Sequence, residues 1–262
     1  MKIARDAGGP WLEFLTEIVG LTLTPSGEVL YFMPMSSDAE ILKAFPAAAE
    51  YLSSIHLICR DYGHTANHRL AEWLGVSTSA VTQALGRLKK IGLVTQERYE
   101  HVFLTDEGRA LALKVLKRHY LLEHLLVKTL DFPWDKSDEE AKVLQNQISD
   151  ALAEHLDARL GYPQTCPHGN PLPGTPVEAR LLAAPRLPQA TAGQTVTLVR
   201  ITEEGEGISE MLPFCQREGL RPGARITVQS VSPDGVTVRS GDRAAVQVPT
   251  VLAKHLCFDP SL

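Results

Sequence analysis

The sequence predicts a mainly α protein with α+β parts: a helix–turn–helix unit with a two-strand wing, long apolar helices after it, and a small antiparallel β-barrel. Three observations predict this. Residues 67–105 read as helix, tight turn, helix, strand, turn, strand. Asp106 to Leu130 and Ser137 to about Leu160 keep apolar residues at helical spacing. The runs 195–201, 225–231 and 235–239 alternate and are separated by turns, as strands of a small barrel would be.

In chain order, Trp11 to Val19 fits a short helix, and Leu21 to Met33 fits a hairpin around Pro25-Ser26-Gly27. Ser37-Asp38-Ala39-Glu40 is a capping box for the next helix. Pro46 suits the first turn of another, running to about Asp61 with Ala49, Leu52, Ile55 and Ile58 on one face. In the helix–turn–helix, Gly75 supplies the turn, and Leu70, Leu74, Val76, Val81, Leu85 and Leu88 make the core beneath it. Arg98, Tyr99 and His101 fall near the wing tip. Gly161 to Pro188 is rich in Pro and Gly and reads as a linker.

Composition narrows the function. With 262 residues, the chain is long enough for about two domains at roughly 150 residues each. Aromatics make up only 6%, too few for a broad single-strand stacking platform. The four cysteines follow no disulfide framework, and neither a signal-peptide core nor a membrane span is evident; a soluble, cytoplasmic protein is expected. Net charge is −5, yet residues 60–118 hold ten Lys/Arg against six Asp/Glu. A basic segment in an acidic chain fits a local DNA-contacting surface. No phosphate-cradling glycine loop or nucleophile elbow occurs, so neither an enzyme nor a small organic substrate is expected.

The second helix of the unit exposes Ser77, Thr78, Ser79, Thr82 and Gln83 near its start, with Arg87 and Lys89 further on. Small hydroxyls approach phosphates closely, and Gln can pair with adenine in the major groove. With Arg98 on the wing, these are the candidate DNA contacts. His119 and Glu123, spaced i,i+4, share a helix face, a geometry that lets two side chains hold one cation. From spacing alone they could equally be a solvated pair.

From Tyr51-Leu-Ser-Ser-Ile55 through the helix–turn–helix, Leu104-Thr-Asp-Glu-Gly-Arg109, Arg118-His-Tyr-Leu-Leu-Glu123 and Cys166-Pro-His-Gly-Asn-Pro-Leu-Pro-Gly174, the chain resembles the diphtheria-toxin-repressor and manganese-transport-regulator family of iron- and manganese-responsive repressors. The resemblance covers about residues 47–262. It implies a homodimer on palindromic operator DNA, with Mn2+ or Fe2+ as cofactor and no membrane partner. It also implies a division into an N-terminal extension (1–45), a winged-helix domain (46–108), a helical dimerisation and metal-site domain (109–165), a linker (166–190) and an SH3-like, FeoA-type β domain (191–262). His119 and Glu123 match family metal-site positions, with Asp138 as a third candidate.

The family's primary metal site is expected to be degenerate here. Glu50, Lys142, Gln145 and Asn146 stand at its ligand positions, and a protonated lysine with two neutral amides is a poor set. In an alternative, metal-independent reading, the Lys142 ammonium faces Glu50 and replaces the cation. Cys166-Pro-His168 is expected to be a structural link, being two ligands short of a closed zinc site. Glu206 and Glu210 are expected in a solvated loop, although family members can lend a carboxylate from this region.

Overall fold

The computed structural model describes residues 21–23, 29–31, 38–96 and 101–260. It divides into two compact units, Met1–Pro46 and Ala47–Leu262. In the first, β1 (Leu21–Leu23) pairs antiparallel with β2 (Val29–Tyr31) where the hairpin was expected, and α1 (Asp38–Ala44) follows. The expected helix at 11–19 and the hairpin turn lie outside the described residues.

The second unit opens with α2 (Ala48–Tyr62), whose Ala49, Leu52, Ile55 and Ile58 are fully buried. Next come α3 (Asn67–Leu74) and α4 (Thr78–Lys90). Gly75 sits between them at φ +64°, a left-handed conformation that a side chain would penalise. Strands β3 (Val94–Thr95) and β4 (Phe103–Leu104) form the antiparallel base of the wing. Arg98 and Tyr99, expected near the wing tip, lie outside the described residues.

Helix α5 (Asp106–His124) is capped by Thr105, whose hydroxyl accepts from Gly108 N at 3.0 Å. It passes into a π-helical turn, Leu125–Thr129. The single helix expected from Ser137 to about Leu160 is two, α6 (Ser137–Leu144) and α7 (Asp150–Arg159). Ser149 caps the second by accepting from Leu152 N at 3.2 Å, so the chain turns before it. Periodicity survives that break and hides it. Leu57, Leu116, Tyr120, Leu121, Ala153, Leu156 and Leu172 pack α2, α5, α7 and the following loop into one core.

The stretch expected as a linker is packed. Cys166, His168, Asn170 and Leu172 are buried, and α8 (Glu178–Leu182) lies within it. Beyond it, β5 (Thr195–Ile201), β6 (Arg225–Ser232), β7 (Gly235–Ser240), β8 (Val246–Pro249) and β9 (Leu256–Asp259) form an antiparallel SH3-like sheet in the order β8-β7-β6-β5-β9. Between β5 and β6 lie α9 (Glu203–Glu206) and α10 (Met211–Glu218); α11 (Thr250–Ala253) precedes β9. No helix among the described residues is long and apolar enough to cross a membrane.

Candidate metal centre

Four segments bring six ionisable side chains together. The last turns of α5 supply His119 and Glu123, and the first turn of α6 supplies Asp138. The loop after α7 supplies Cys166 and His168, and α9 supplies Glu206. All six are at most 6% exposed. The loop reaches this position because Ile201 N donates to His168 O at 2.9 Å and because Gly169 lies against β5. A Cβ on Gly169 would stand 2.1 Å from Val199 O, and its φ is +89°, so only glycine fits.

Glu123 is the hub. Its Oε1 lies 2.7 Å from His119 Nε2, and its Oε2 lies 3.1 Å from His168 Nδ1. Each imidazole nitrogen is also approached by a second carboxylate: Asp138 Oδ1 at 3.2 Å from His119 and Glu206 Oε2 at 3.3 Å from His168. Glu123 Oε1, Asp138 Oδ1 and Glu206 Oε2 are buried beside these nitrogens with no hydrogen bond directed at them.

The second nitrogen of His168 lies 3.0 Å from the Trp134 carbonyl. A carbonyl only accepts, so Nε2 carries a proton, and Nδ1, which faces Glu123, is the nitrogen that becomes free to bind an ion when the ring gives up its other proton. Backbone orientation of this kind is how metal-binding imidazoles are held.

The electrostatics follow from burial. Desolvation alone would lower the His119 pKa, but the Glu123 and Asp138 carboxylates outweigh it and raise it to about 10. His168 is raised in the same way, against its burial, by Glu206 and Glu123. Desolvation works to raise Glu123 too, yet the two imidazoles hold it well below the usual carboxylate range. Glu206 is pushed up to about 8 by burial, with Glu203 and Glu123 adding to the rise. Burial, with the Glu123 and Glu206 carboxylates adding to it, pushes the Cys166 thiol well up. Protons here fill the role of a missing positive charge.

The donor atoms fit a divalent ion. His119, Glu123 and Asp138 form one trio and Glu123, Cys166 and His168 another, the ligand atoms of each lying within 4.8 Å of one another. Imidazole with carboxylates suits manganese or iron(II), and a thiolate moves the second trio toward the softer iron.

Some sequence expectations need correction. Cys166 and His168, expected as a structural link, lie buried with Glu123 in a group of possible ligand atoms. Glu206 is buried beside His168 and not in a solvated loop, whereas Glu210 is exposed. Lys142, expected opposite Glu50, instead pairs with Asp138 Oδ2 at 2.7 Å, one turn back on its own helix, and its side chain is 53% exposed. Glu50 is exposed on α2, Gln145 is buried, and Asn146 Oδ1 is buried without a hydrogen bond.

On α4, Ser77, Thr78, Ser79, Thr82, Gln83, Arg87 and Lys89 are all exposed. Ser77 caps the helix by accepting from Ala80 N at 3.2 Å. Thr82 donates to Thr78 O at 2.9 Å. The Lys89 ammonium donates to Gln96 O at 2.6 Å, bracing helix to wing.

Comparison with known proteins bears on both regions. Residues 45–102 match the iron dependent repressor N-terminal DNA binding domain, and residues 105–174 match the iron dependent repressor metal binding and dimerisation domain. The iron-dependent repressor IdeR of Mycobacterium tuberculosis is 32% identical over 213 residues, spanning 78% of this chain and 92% of that protein. The chain belongs to the iron-dependent repressor family. Among solved structures, a manganese-dependent transcriptional repressor in complex with manganese shares 33% identity at a TM-score of 0.68, covering 80% of this chain and 98% of that one. The IdeR of T. acidophilum aligns with TM-score 0.64 and 26% identity over 80% of this chain and 96% of its own. Both trios draw on the family's metal-binding region, and the exposed face of α4 lies in its DNA-binding region. Glu206 and the β-module lie beyond both matched regions.

Proposed function

We propose that this family member is a metal-responsive transcriptional repressor, acting in the cytoplasm as a homodimer on operator DNA with Mn2+ or Fe2+ as effector. Glu123 carries the reading. Both its oxygens face imidazole nitrogens already shared with other carboxylates, in a buried site with undirected oxygen lone pairs. His119, Glu123 and Asp138 would hold one ion, and Glu123, Cys166 and His168 with Glu206 would hold a second. The ion would supply positive charge and rigid coordination. Glu50, Lys142, Gln145 and Asn146 have no part as ligands in this reading, since Lys142 is committed to Asp138.

The α4 face would enter the major groove, with Gln83 reading a base and Thr78 and Ser79 against phosphates. Arg87 and Arg98 would add charge.

The test uses DNA duplexes selected by the protein from a random pool in manganese chloride. Chelation should weaken binding at least about tenfold, within the usual range of allosteric coupling, and manganese or iron(II) should restore it. Equal affinity with and without metal would contradict the reading.

A further inference from the structure

A polar run leaves the metal centre and ends on α2, the helix before the helix–turn–helix. Asn170 Nδ2 donates to Glu206 Oε1 and, at 2.8 Å, to Ile201 O. Asn170 Oδ1 accepts from Arg200 Nε at 2.5 Å. Arg200 Nη2 then donates to Asp61 Oδ2 at 2.8 Å, while Asp61 Oδ1 accepts from Arg60 Nε, also at 2.8 Å. Asn170 is fully buried and Arg200 is 2% exposed. Asp61 is in the last turn of α2, immediately before the chain enters α3.

The sheet is built to aim Arg200 this way. A register shift between Leu198 and Arg200 inserts one extra residue opposite β9. Ile201, not Arg200, therefore joins Val196 and Leu198 in the barrel core. Arg200 is turned out of that core, as a bulge allows. A buried ion pair is a poor way to gain stability alone, because desolvation offsets the attraction. What such a pair can fix is relative position.

The short helix α9, which carries Glu206, also reaches α2 and α3. Glu204, two residues from Glu206, accepts from Tyr62 Oη and, at 2.8 Å, from Arg69 Nη2 on α3. Thus α9 presents Glu206 to the metal centre and Glu204 to α2 and α3.

We propose that Arg200 and Glu204 form a latch through which occupancy of the metal centre fixes α2 and α3, so that the β-module carries the metal signal to the DNA-binding helices. This rests on the reading that a divalent ion binds at Glu123. An ion that draws in Glu206 holds α9 and the Asn170–Arg200 contacts in register. Without it, Glu206 Oε2 is buried beside His168 with no hydrogen bond directed at it, and the latch is free to open. Arg200 is a positioning residue, remote from the ion itself. Latched and released are the two states that both sites bias.

The experiment is hydrogen exchange on the full chain with and without manganese chloride, alongside manganese stoichiometry by equilibrium dialysis. In the wild type, manganese should slow exchange across residues 48–74 by about tenfold, a typical coupling. Arg200→Gln should bind the same number of ions and lose that slowing, and Arg200→Lys should regain part of it. Retained slowing in Arg200→Gln overturns the latch. If Arg200→Gln does not fold, Glu204→Gln decides, since its side chain is 25% exposed and tolerant of change; undiminished slowing there overturns the latch. Manganese that binds the wild type without slowing these residues overturns the latch and leaves the metal centre standing. A wild type that binds no manganese overturns both.

Discussion

On α4, polar side chains stand in solvent on one helix, whereas around Glu123 they are buried and come from four segments. The exposed face needs only a stable helix beneath it, which Val81, Leu85 and Leu88 provide. The buried centre needs α5, α6, the 166–170 loop and α9 all in place, and it holds carboxylates without a full set of directed partners. A surface meant for a polyanion can wait in water. A centre meant for a cation must be assembled around charge that protons meanwhile balance.

The difference can be broken most severely at Glu123. Glu123→Gln removes the only residue common to both trios, so manganese affinity should fall by more than about 100-fold, beyond the effect of losing an outer-shell partner. Manganese titration would check this, and near-normal binding would mean that the trios are structural. Next in size is Gly169→Ala, which forces a Cβ against Val199 O at a positive φ. It should cost about 2–4 kcal/mol in thermal unfolding through clash and strain.

Less of the buried centre than of the helix face was legible in the sequence. Turn signals and periodicity are local, so Gly75 and the α4 face could be read directly, as could the i,i+4 pair His119 and Glu123. Asp138 was within reach because the family resemblance pointed to α6. Cys166 and His168 were visible as ligand types, but no local rule says that their loop folds back onto Glu123. That depends on Gly169 lying flush with β5, a contact between distant segments. Glu206 was hidden for the same reason, and the break between α6 and α7 because apolar spacing continues across it.

On the exposed side, Gln83→Ala should cost about 1–3 kcal/mol of specific DNA binding while sparing non-specific binding. Equal losses on both would make Gln83 a positioning contact. The pH dependence sharpens the contrast, because the buried centre carries large shifts. His119, raised to about 10, stabilises the metal-free fold fully below its unfolded value of 6.5, and this contribution is lost as pH climbs toward 10. Glu206, raised to about 8 from 4.5, acts in the same direction, since the fold keeps a proton that the unfolded chain releases. Through these two groups metal-free stability should therefore fall between about pH 4.5 and 10, Glu206 acting from 4.5 to 8 and His119 from 6.5 to 10, while manganese affinity rises by up to about tenfold per pH unit for each proton displaced. Melting curves and titrations across that window check both signs. The smallest effect is expected at Lys89→Ala, where an ammonium already spent on Gln96 O is lost. The salt slope of DNA binding should change by less than about one unit.

Anomalous scattering from crystals grown with manganese tests the central claim most directly. The account predicts signal beside Glu123, with His119 and Asp138 on one side and Cys166 and His168 on the other. Manganese found instead among Glu50, Gln145 and Asn146, with Glu123 outside its coordination shell, would contradict it.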